Sequence, residues 1–292
     1  IPNIDTIAVT VGPGLPPALW TGINFAKELS IKSKKPIIPV NHVLAHMYAN
    51  FINSYKQEEI GKKNEKSLVA SRLLPIAFPA ISLVVSGGHT ELYLMKNERE
   101  LTWIGGTLDD AAGEAFDKTA RLLGFENRGG AAIEEAASKF KITNDKLQIH
   151  LPRPMLHDHT LNFSFSGLKT AVMREWKKYS TAISEKQEAK SLINAFSWEI
   201  QEAITDVLVK KTIAAAEKYN AKSILLSGGV AANSRLREKF HQQLITSRFS
   251  LIAPPTKLCP DNAVSIAACA YYLGKPVSWK EVEAKPDLSV EV

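Results

Sequence analysis

Apolar residues recur along the chain at two spacings, one typical of strands and one typical of helices. In residues 5–11 apolar side chains alternate with small or polar ones, which predicts a strand. A glycine turn at residues 12–14 follows, and beyond Pro16 apolar residues recur every three or four positions, which predicts a helix with one buried face. A strand, a glycine turn and a helix in this order are typical of α/β proteins.

A second predicted strand and helix carry two histidines. Residues 37–40 are apolar, which predicts a short buried strand, and Asn41 is a favourable N-cap for the next helix. His42 and His46 lie four residues apart, so their imidazoles project from the same helix face on consecutive turns. Such a pair binds a metal ion when the fold supplies a third ligand, usually a carboxylate. A surface helix with two solvated histidines has the same spacing, so both interpretations stay open.

The tripeptide Ser-Gly-Gly occurs twice, each time after an apolar strand. The first, at residues 86–88, separates predicted strands at 80–86 and 90–95, and its glycines allow backbone N–H groups to face an anion. A plain β-hairpin with a glycine turn explains it equally well. The second, at residues 227–229, follows a predicted strand at 223–226 and leads into a helix. We therefore expect two related lobes that face each other across a nucleotide cleft.

Small and acidic residues dominate residues 105–118, which contain four carboxylates. These carboxylates suit ribose hydroxyls or a metal ion. They also suit a solvated helix start, where the helix dipole favours negative charge. After the helix that ends near Gly124, the pair Gly129 and Gly130 predicts a second place where two backbones approach closely.

Two further polar residues stand where predicted helices begin. The helix predicted at residues 231–244 holds Asn233 near its start. Asp261 stands at the predicted N-cap of a small-residue helix that runs through Ala270, and a capping role accounts for it adequately. Asp261 is also a distant carboxylate of the kind that the histidine pair lacks.

Length and composition limit the class of protein. At 292 residues the chain is long enough for two lobes, each with its own core, and a helical pattern over residues 189–219 is expected to pack within one lobe. Apolar residues make up 45% and charged residues 23%, as in ordinary globular proteins, and no run of 18 apolar residues predicts a membrane span. The two cysteines form no disulfide framework, which indicates a reducing compartment. The net charge of +6 permits a polyanionic partner without requiring one.

Six motifs follow one another along the chain, at residues 42–46, 85–90, 111–119, 163–170, 228–233 and 261–263. In this order they resemble the universal tRNA threonylcarbamoyladenosine transferases, formerly described as O-sialoglycoprotein endopeptidases. The resemblance implies an α/β fold of the actin, sugar kinase and heat-shock ATPase type, with a nucleotide between two lobes. We expect residues 1–105 to form the first lobe with an inserted metal-binding helix. Residues 106–292 would form the second, with helical insertions and a C-terminal helix that returns to the first lobe.

The resemblance also implies roles for individual residues. The family's metal site falls on His42, His46 and Asp261, which implies one divalent ion, zinc or iron, per subunit. No catalytic side chain distinct from this site is expected. The bound adenine nucleotide would be threonylcarbamoyl-adenylate, ATP or AMP. The residues expected to contact it are Val84, Val85, Ser86, Gly87, Gly88, Asp117, Gly130, Glu134 and Asn233.

Two features bear on the branch of the family. His89, within Gly-Gly-His-Thr, resembles the bacterial and mitochondrial branch, so we expect a mitochondrial protein, with the bacterial cytoplasm as the alternative. The family's Glu-Thr-Ser-Cys-Asp-like phosphate motif has no counterpart in this sequence. The first lobe is therefore expected to lack its outer strands, either because the sequence is incomplete or because the protein is a trimmed form.

The function implied by the resemblance is transfer of the threonylcarbamoyl group from threonylcarbamoyl-adenylate to N6 of adenosine 37, in tRNAs that read codons beginning with A. The expected partners are tRNA, the synthase that makes the adenylate and a second copy of the chain, with no membrane. Two alternatives are a metal-dependent glycoprotein endopeptidase and a non-catalytic ATP-binding scaffold. The first would lack the glutamate that follows the first histidine of zincin proteases, and the second would need no metal ion.

Overall fold

The structure is a computed structural model that describes residues 4–52, 76–126, 129–140, 149–180 and 186–290. Residues 53–71 are rich in Lys, Glu, Asn and Ser, which predicts a solvated loop or an extension of a helix, and they lie outside the described residues. The strands are β1 Ile7–Gly12, β2 Ile37–Asn41, β3 Ala80–Val85, β4 Thr90–Met95, β5 Leu101–Gly106, β6 Ser223–Ser227 and β7 Ser250–Ile252. The helices are α1 Pro16–Ser33, α2 His42–Tyr48, α3 Ala112–Leu122, α4 Gly129–Ser138, α5 Ser166–Ser180, α6 Lys186–Lys218, α7 Ser234–Leu244 and α8 Ala263–Leu273.

The strands form two sheets. β1 and β2 pair in parallel, while the larger sheet has the strand order β5-β4-β3-β6-β7. In the larger sheet β3 and β6 are parallel neighbours, with Ile81 opposite Ile224, and β4 and β5 extend it as an antiparallel meander. The predicted strands that became β1 to β4 and β6 are confirmed, whereas β5 and β7 were not predicted.

Helices cover both faces of the larger sheet. On one face, side chains of β3 and β4 such as Leu83 and Leu92 join a core that includes Phe116 of α3 and Phe196 of α6. The apolar stripe predicted for α6 lies within this core, which confirms its packing role. Its buried members are Leu192, Phe196, Ile200, Ala203, Ile204, Val207 and Leu208.

Helices α2 and α8 pack on the opposite face of the larger sheet. Their core joins Val43 and Met47 of α2 to Val84 of β3 and Cys269 of α8, and it also includes Val40 of the small sheet. Helix α2 therefore packs against strands of both sheets, which fixes its position. None of the helices in the described part of the chain is both long and apolar enough to cross a bilayer.

The sheets do not divide where the lobes were predicted to divide. The predicted boundary after residue 105 cuts through β5, and β3, β4 and β5 share a sheet with β6 and β7. Residues 80–105 therefore pair with strands of the predicted second lobe, because β3 hydrogen-bonds to β6. The chain after α8 does return to the small sheet, where Val277 and Ile37 exchange backbone hydrogen bonds. The division into lobes stays a prediction.

Candidate metal and nucleotide site

Asn41 fixes the start of the histidine helix. As predicted, it is the N-cap of α2, where its Oδ1 accepts hydrogen bonds from the backbone N–H groups of Val43 at 2.9 Å and Leu44 at 3.2 Å. Its Nδ2 donates to the carbonyl oxygen of Ser289 at 3.1 Å, which ties the C-terminal segment to the same cap. His42 is thereby the first residue of the helix and His46 lies one turn further on.

The structure brings the two histidines together with Asp261. Their Nε2 atoms lie 3.4 Å (His42) and 3.3 Å (His46) from Asp261 Oδ1. The two ring centroids are 4.6 Å apart with an interplanar angle of 68°. The donor atoms of all three side chains lie within 4.8 Å of one another, which is close enough for a single ion to contact them together. We call these three residues the donor cluster.

Asp261 is not a helix cap, so the predicted capping role is wrong. Helix α8 begins at Ala263, and the N-cap is Asn262, whose Oδ1 accepts from Ser265 N at 2.9 Å. An N-cap side chain must reach the backbone two or three residues ahead, and that position belongs to Asn262. The carboxylate of Asp261 is therefore free to face the histidines.

The donor cluster has the chemistry of a metal site. The His46 side chain is only 3% exposed, and its Nε2 has no hydrogen bond among the described residues. Leaving a buried polar atom unsatisfied costs about 1–3 kcal/mol, which a bound cation would offset. The Asp261 carboxylate is ionised at neutral pH, because the ordinary pKa of an aspartate is about 3.9, and it lies within 3.4 Å of both imidazoles. Two imidazoles and one carboxylate suit zinc, iron and other divalent ions.

The first Ser-Gly-Gly turn presents open backbone. Ser86 Oγ accepts from the backbone N–H groups of Gly88 at 3.4 Å and His89 at 3.1 Å, which holds the turn in shape. A Cβ atom added at Gly87 or Gly88 would meet nothing within 4 Å, so a ligand can approach this backbone. Burial lowers the pKa of His89 against the opposing effect of the Glu91 carboxylate, and His42 and His46 add to the lowering.

The second Ser-Gly-Gly turn packs against the first. Gly228 has a φ of 89°, and a Cβ there would lie 2.3 Å from the carbonyl oxygen of Val85. Only glycine fits this position without strain. Both turns therefore meet at the carboxyl ends of β3 and β6, the edge where open α/β sheets bind ligands.

The residues expected to contact the nucleoside lie along α3, α4 and α7. A Cβ at Gly129 would be 2.4 Å from Asp117 Oδ1, so α3 and α4 touch at this point. Gly130 and Glu134 are one turn apart on α4, and Glu134 Oε2 accepts from Asn233 Nδ2 at 3.4 Å. The four predicted residues therefore lie on three helices that contact one another in sequence, α3 with α4 and α4 with the start of α7. Their role in binding a nucleoside stays a prediction.

Asn233 lies outside the helix predicted to contain it. Residues Gly229–Ala232 form a 3₁₀ turn, and Asn233 is the N-cap of α7, with Oδ1 accepting from Leu236 N at 2.9 Å. Its Nδ2 also donates to Gln201 Oε1 at 3.0 Å. The early start at residue 231 is therefore wrong, because the capping side chain sets the first helical residue at Ser234.

The carboxylates at the start of α3 are engaged in structural contacts. Asp109 accepts from the backbone N–H groups of Phe165 at 2.7 Å and Ser166 at 3.1 Å, at the start of α5. Asp110 and Glu114 both pair with Lys118, and their oxygens lie 2.7 Å and 2.9 Å from its Nζ. These contacts favour the helix-start interpretation of this stretch over the metal interpretation.

Sequence reasoning missed a group of residues beside the donor cluster. Glu91, Tyr93 and Trp103 of β4 and β5 line a cleft together with His89. Tyr93 donates a hydrogen bond to Glu91 Oε2 at 2.5 Å, and burial and the Glu91 carboxylate raise the pKa of Tyr93. The signal was the alternation in β4, where Glu91 and Tyr93 share one face and Leu92 lies on the other.

Solved structures with a similar fold support the architecture. HypF of T. kodakarensis superposes with a TM-score of 0.58 over 94% of this chain at 13% identity, and a full-length HypF in its phosphate- and nucleotide-bound form gives 0.55 over 91%. The chain spans 40% and 38% of those proteins, respectively. At this identity the likeness concerns the fold alone, and it confirms the expected two-lobed α/β fold of the actin, sugar kinase and heat-shock ATPase type.

Sequence comparisons identify closer relatives. The model of the tRNA N6-adenosine threonylcarbamoyltransferase family matches residues 1–61 and 65–268. Proteins with this name from Syntrophomonas wolfei and Persephonella marina are each 44% identical over 92% and 93% of this chain, which covers 71% and 70% of their lengths. The protein of the same name from Thermosipho africanus is 41% identical over 99% of the chain and is covered over 79% of its length. The chain therefore belongs to the tRNA N6-adenosine threonylcarbamoyltransferase family.

Proposed function

We propose that the chain transfers the threonylcarbamoyl group from threonylcarbamoyl-adenylate to N6 of adenosine 37, in tRNAs that read codons beginning with A. Acyl transfer to an adenosine of tRNA follows from its family. Two observations support this particular donor. His46 Nε2 of the donor cluster is buried without a hydrogen bond among the described residues, and the backbone of the Ser86–Gly88 turn is open to a ligand. A metal-binding group and an anion-accepting turn suit an acyl phosphate donor.

His42, His46 and Asp261 would hold one divalent ion, zinc or iron. When bound, such an ion supplies Lewis-acid polarisation of a carbonyl or phosphoryl oxygen and fixes the orientation of the donor. The ionised Asp261 and the buried His46 are already positioned around one point, so little rearrangement is needed to complete the site.

The rest of the donor would lie against the two sheet-edge turns and the helices beyond them. The backbone at Gly87 and Gly88 would take the phosphate, because no side chain blocks it. Asp117, Gly130, Glu134 and Asn233 would contact the nucleoside, and the buried valines Val84 and Val85 would support the turn from β3. ATP and AMP share the phosphate and adenosine of this ligand and would use the same contacts.

The reaction requires positioning more than a protein nucleophile. The N6 amine attacks the carbamoyl carbon, a C–N bond forms, the bond from that carbon to the phosphate oxygen breaks, and AMP and a proton leave. Holding the two reactants in this geometry accounts for much of such a rate enhancement. The chain's own contribution is therefore to bind both substrates and to align them.

Neither alternative function gains support. Val43 follows His42, where a zincin protease has its glutamate base. A non-catalytic scaffold does not account for the unsatisfied nitrogen of His46 beside an ionised carboxylate. The relatives with similar sequences carry the transferase name.

A reconstituted modification assay tests the proposal. The purified chain is combined with an adenylate-forming synthase, ATP, threonine, bicarbonate and tRNA, with and without a chelator. We expect modified adenosine only when the chain is present, loss of product with chelator and recovery when zinc or iron is added back. Product formed at full rate after complete removal of divalent ions from the chain would contradict the metal role.

We further propose that the chain works as a homodimer in mitochondria, with the bacterial cytoplasm as the alternative location. The location is supported by the resemblance of the Gly-Gly-His-Thr sequence around His89 to that branch of the family. Fractionation of cells that make the native protein tests the location, and sedimentation velocity tests the dimer. A monomer at micromolar concentration would contradict the dimer.

A further inference from the structure

A cleft of about 510 Å³ lies beside the donor cluster. This volume is within the range of small-molecule sites, about 300–1,000 Å³. Residues of β4 and β5 line it, as does the C-terminal segment at residues 286–290. The proposed reaction has two substrates, the adenylate donor and the tRNA acceptor. None of the residues assigned to the donor lines this cleft, although His89, which does, directly follows the Ser86–Gly88 turn.

Two residues connect the cleft to the donor cluster. Val43, which follows His42 in α2, lines the cleft. His89, which directly follows the Ser86–Gly88 turn, lines the cleft together with Val43. The cleft therefore borders the helix that carries His42 and His46 and the residue that follows the Ser86–Gly88 turn.

The β-sheet wall offers a flat aromatic ring and a hydrogen-bond acceptor. Trp103 of β5 is 52% exposed and lies opposite Tyr93 of β4 in the sheet register. Tyr93 binds Glu91 Oε2, whereas the other carboxylate oxygen, Oε1, accepts no hydrogen bond from the described residues. An exposed tryptophan beside a carboxylate with a free acceptor suits a planar heterocycle that carries an amine.

The charge of the cleft disfavours a phosphate as its occupant. Glu91 and Asp287 both line it, and no lysine or arginine is among its described lining residues. The C-terminal segment at residues 286–290 is held by two hydrogen bonds. Gly14 N donates to Pro286 O at 3.0 Å, and Asn41 Nδ2 donates to Ser289 O. The cleft is therefore acidic and partly aromatic, and hydrogen bonds hold part of its lining in place.

We infer that this cleft receives the acceptor adenine of the RNA, with Trp103 as its stacking surface and Glu91 Oε1 accepting a hydrogen bond from the exocyclic amine. Enzymes that modify a base take it out of its stack and hold it by aromatic contacts and hydrogen bonds to its edge. Glu91 and Trp103 are positioning residues in this assignment. The inference rests on the proposed function and adds the acceptor site to it.

Substitution of Trp103 tests the stacking contact through the Michaelis constant for tRNA. Stacking on an aromatic side chain contributes about 1–3 kcal/mol per base, so Trp103→Ala should raise the KM for tRNA about 10-fold. Trp103→Phe should recover most of this loss, and the KM for the adenylate should not change in either variant. Trp20→Ala removes another exposed tryptophan, on α1, and should alter neither constant. An unchanged KM for tRNA, or a raised KM for the adenylate instead, would overturn the assignment.

A binding experiment tests Glu91 without requiring turnover. An anticodon stem-loop RNA is prepared with adenosine or with inosine at the acceptor position, because inosine carries a carbonyl oxygen where adenosine has its amine. The wild-type chain should bind the adenosine RNA more tightly. Glu91→Gln should lose this preference while keeping its metal content, because its amide can accept from the amine of adenosine or donate to the carbonyl of inosine. If Glu91→Gln keeps the preference, or the wild-type chain has none, the inference fails. Failure of the proposed function would instead appear as absence of modified tRNA with the wild-type chain.

Discussion

The donor cluster and the acidic start of α3 both place carboxylates close together, but their surroundings differ. In the donor cluster, His46 Nε2 is buried without a hydrogen bond and Asp261 faces it across 3.3 Å. At the start of α3, Asp109 accepts hydrogen bonds from the start of α5, and Lys118 pairs with two further carboxylates. One group of side chains is incomplete without a ligand, and the other is complete within the protein.

This difference indicates how a binding site can be distinguished from a structural contact. Most buried polar atoms in folded proteins have hydrogen-bond partners, so an unsatisfied one calls for an explanation. A cation explains the donor cluster, because it would accept lone pairs from both imidazoles and from the carboxylate. The carboxylates near α3 need no such explanation, since capping and ion pairing already stabilise their charges.

The largest expected effect is on catalysis. His42→Ala combined with Asp261→Ala leaves one ligand of three, so the rate of tRNA modification should fall by at least about 100-fold, more than the loss of a supporting contact causes. The initial rate at saturating tRNA and adenylate measures this. Asp110→Ala removes a carboxylate from the paired group and should keep the wild-type rate. A double variant as active as the wild-type chain would show that the cluster has no role in transfer.

The next effect is on stability. Asp109→Ala removes the acceptor at the start of α5 and should lower the free energy of unfolding by about 1–2 kcal/mol. Asp109→Asn keeps an acceptor oxygen and should lose less. Urea unfolding measures the change, and metal content should stay the same in both variants. An Asp109→Ala variant that loses metal without losing stability would show that Asp109 serves metal binding and not the fold.

A smaller effect is expected in the pH dependence of stability. Burial would raise the pKa of Glu202, but hydrogen bonds from Arg235 and Lys239 outweigh it and hold the pKa below its usual range. A lowered folded pKa stabilises the protein above the ordinary carboxyl pKa, about 4.3, and this contribution is lost as the pH falls below that value.

Glu202→Gln should therefore have a lower urea midpoint than the wild-type chain at pH 7. The difference between the two midpoints should become smaller near pH 3. Chemical unfolding at a series of pH values measures both curves. Two curves that stay parallel down to acid pH would contradict the assigned pairing. Metal binding at neutral pH should not differ between the two proteins.

Local patterns predicted the elements that carry the donor cluster. The cap at Asn41, the strand before it and the spacing of His42 and His46 all follow from neighbouring residues, and the structure agrees with them. The identity of the third donor came from the resemblance, because nothing near Asp261 in the sequence points to residues 215 positions earlier. The structure then brought Asp261 to within 3.4 Å of both histidines.

Other features depended on contacts that no local pattern contains. Asp261 and Asn262 are both good capping residues, and the choice between them is set by the bonds of Asn262 to Leu258 O and Pro260 O and by the histidines beside Asp261. The pairing of β3 with β6 joins strands far apart in the sequence, so periodicity could not predict it. The cleft likewise combines residues of β4 and β5 with residues 286–290, which lie far away in the sequence.

The most direct test of the donor cluster is its metal content. The purified chain is stripped with chelator, dialysed against zinc or iron(II) and analysed for bound metal, alongside His46→Ala and the control Asp110→Ala. We predict one tightly bound divalent ion per chain in the wild-type protein and in Asp110→Ala, and none in His46→Ala when circular dichroism shows that this variant is folded. Equal metal content and affinity in folded His46→Ala and the wild-type chain would contradict the assignment of the donor cluster as a metal site.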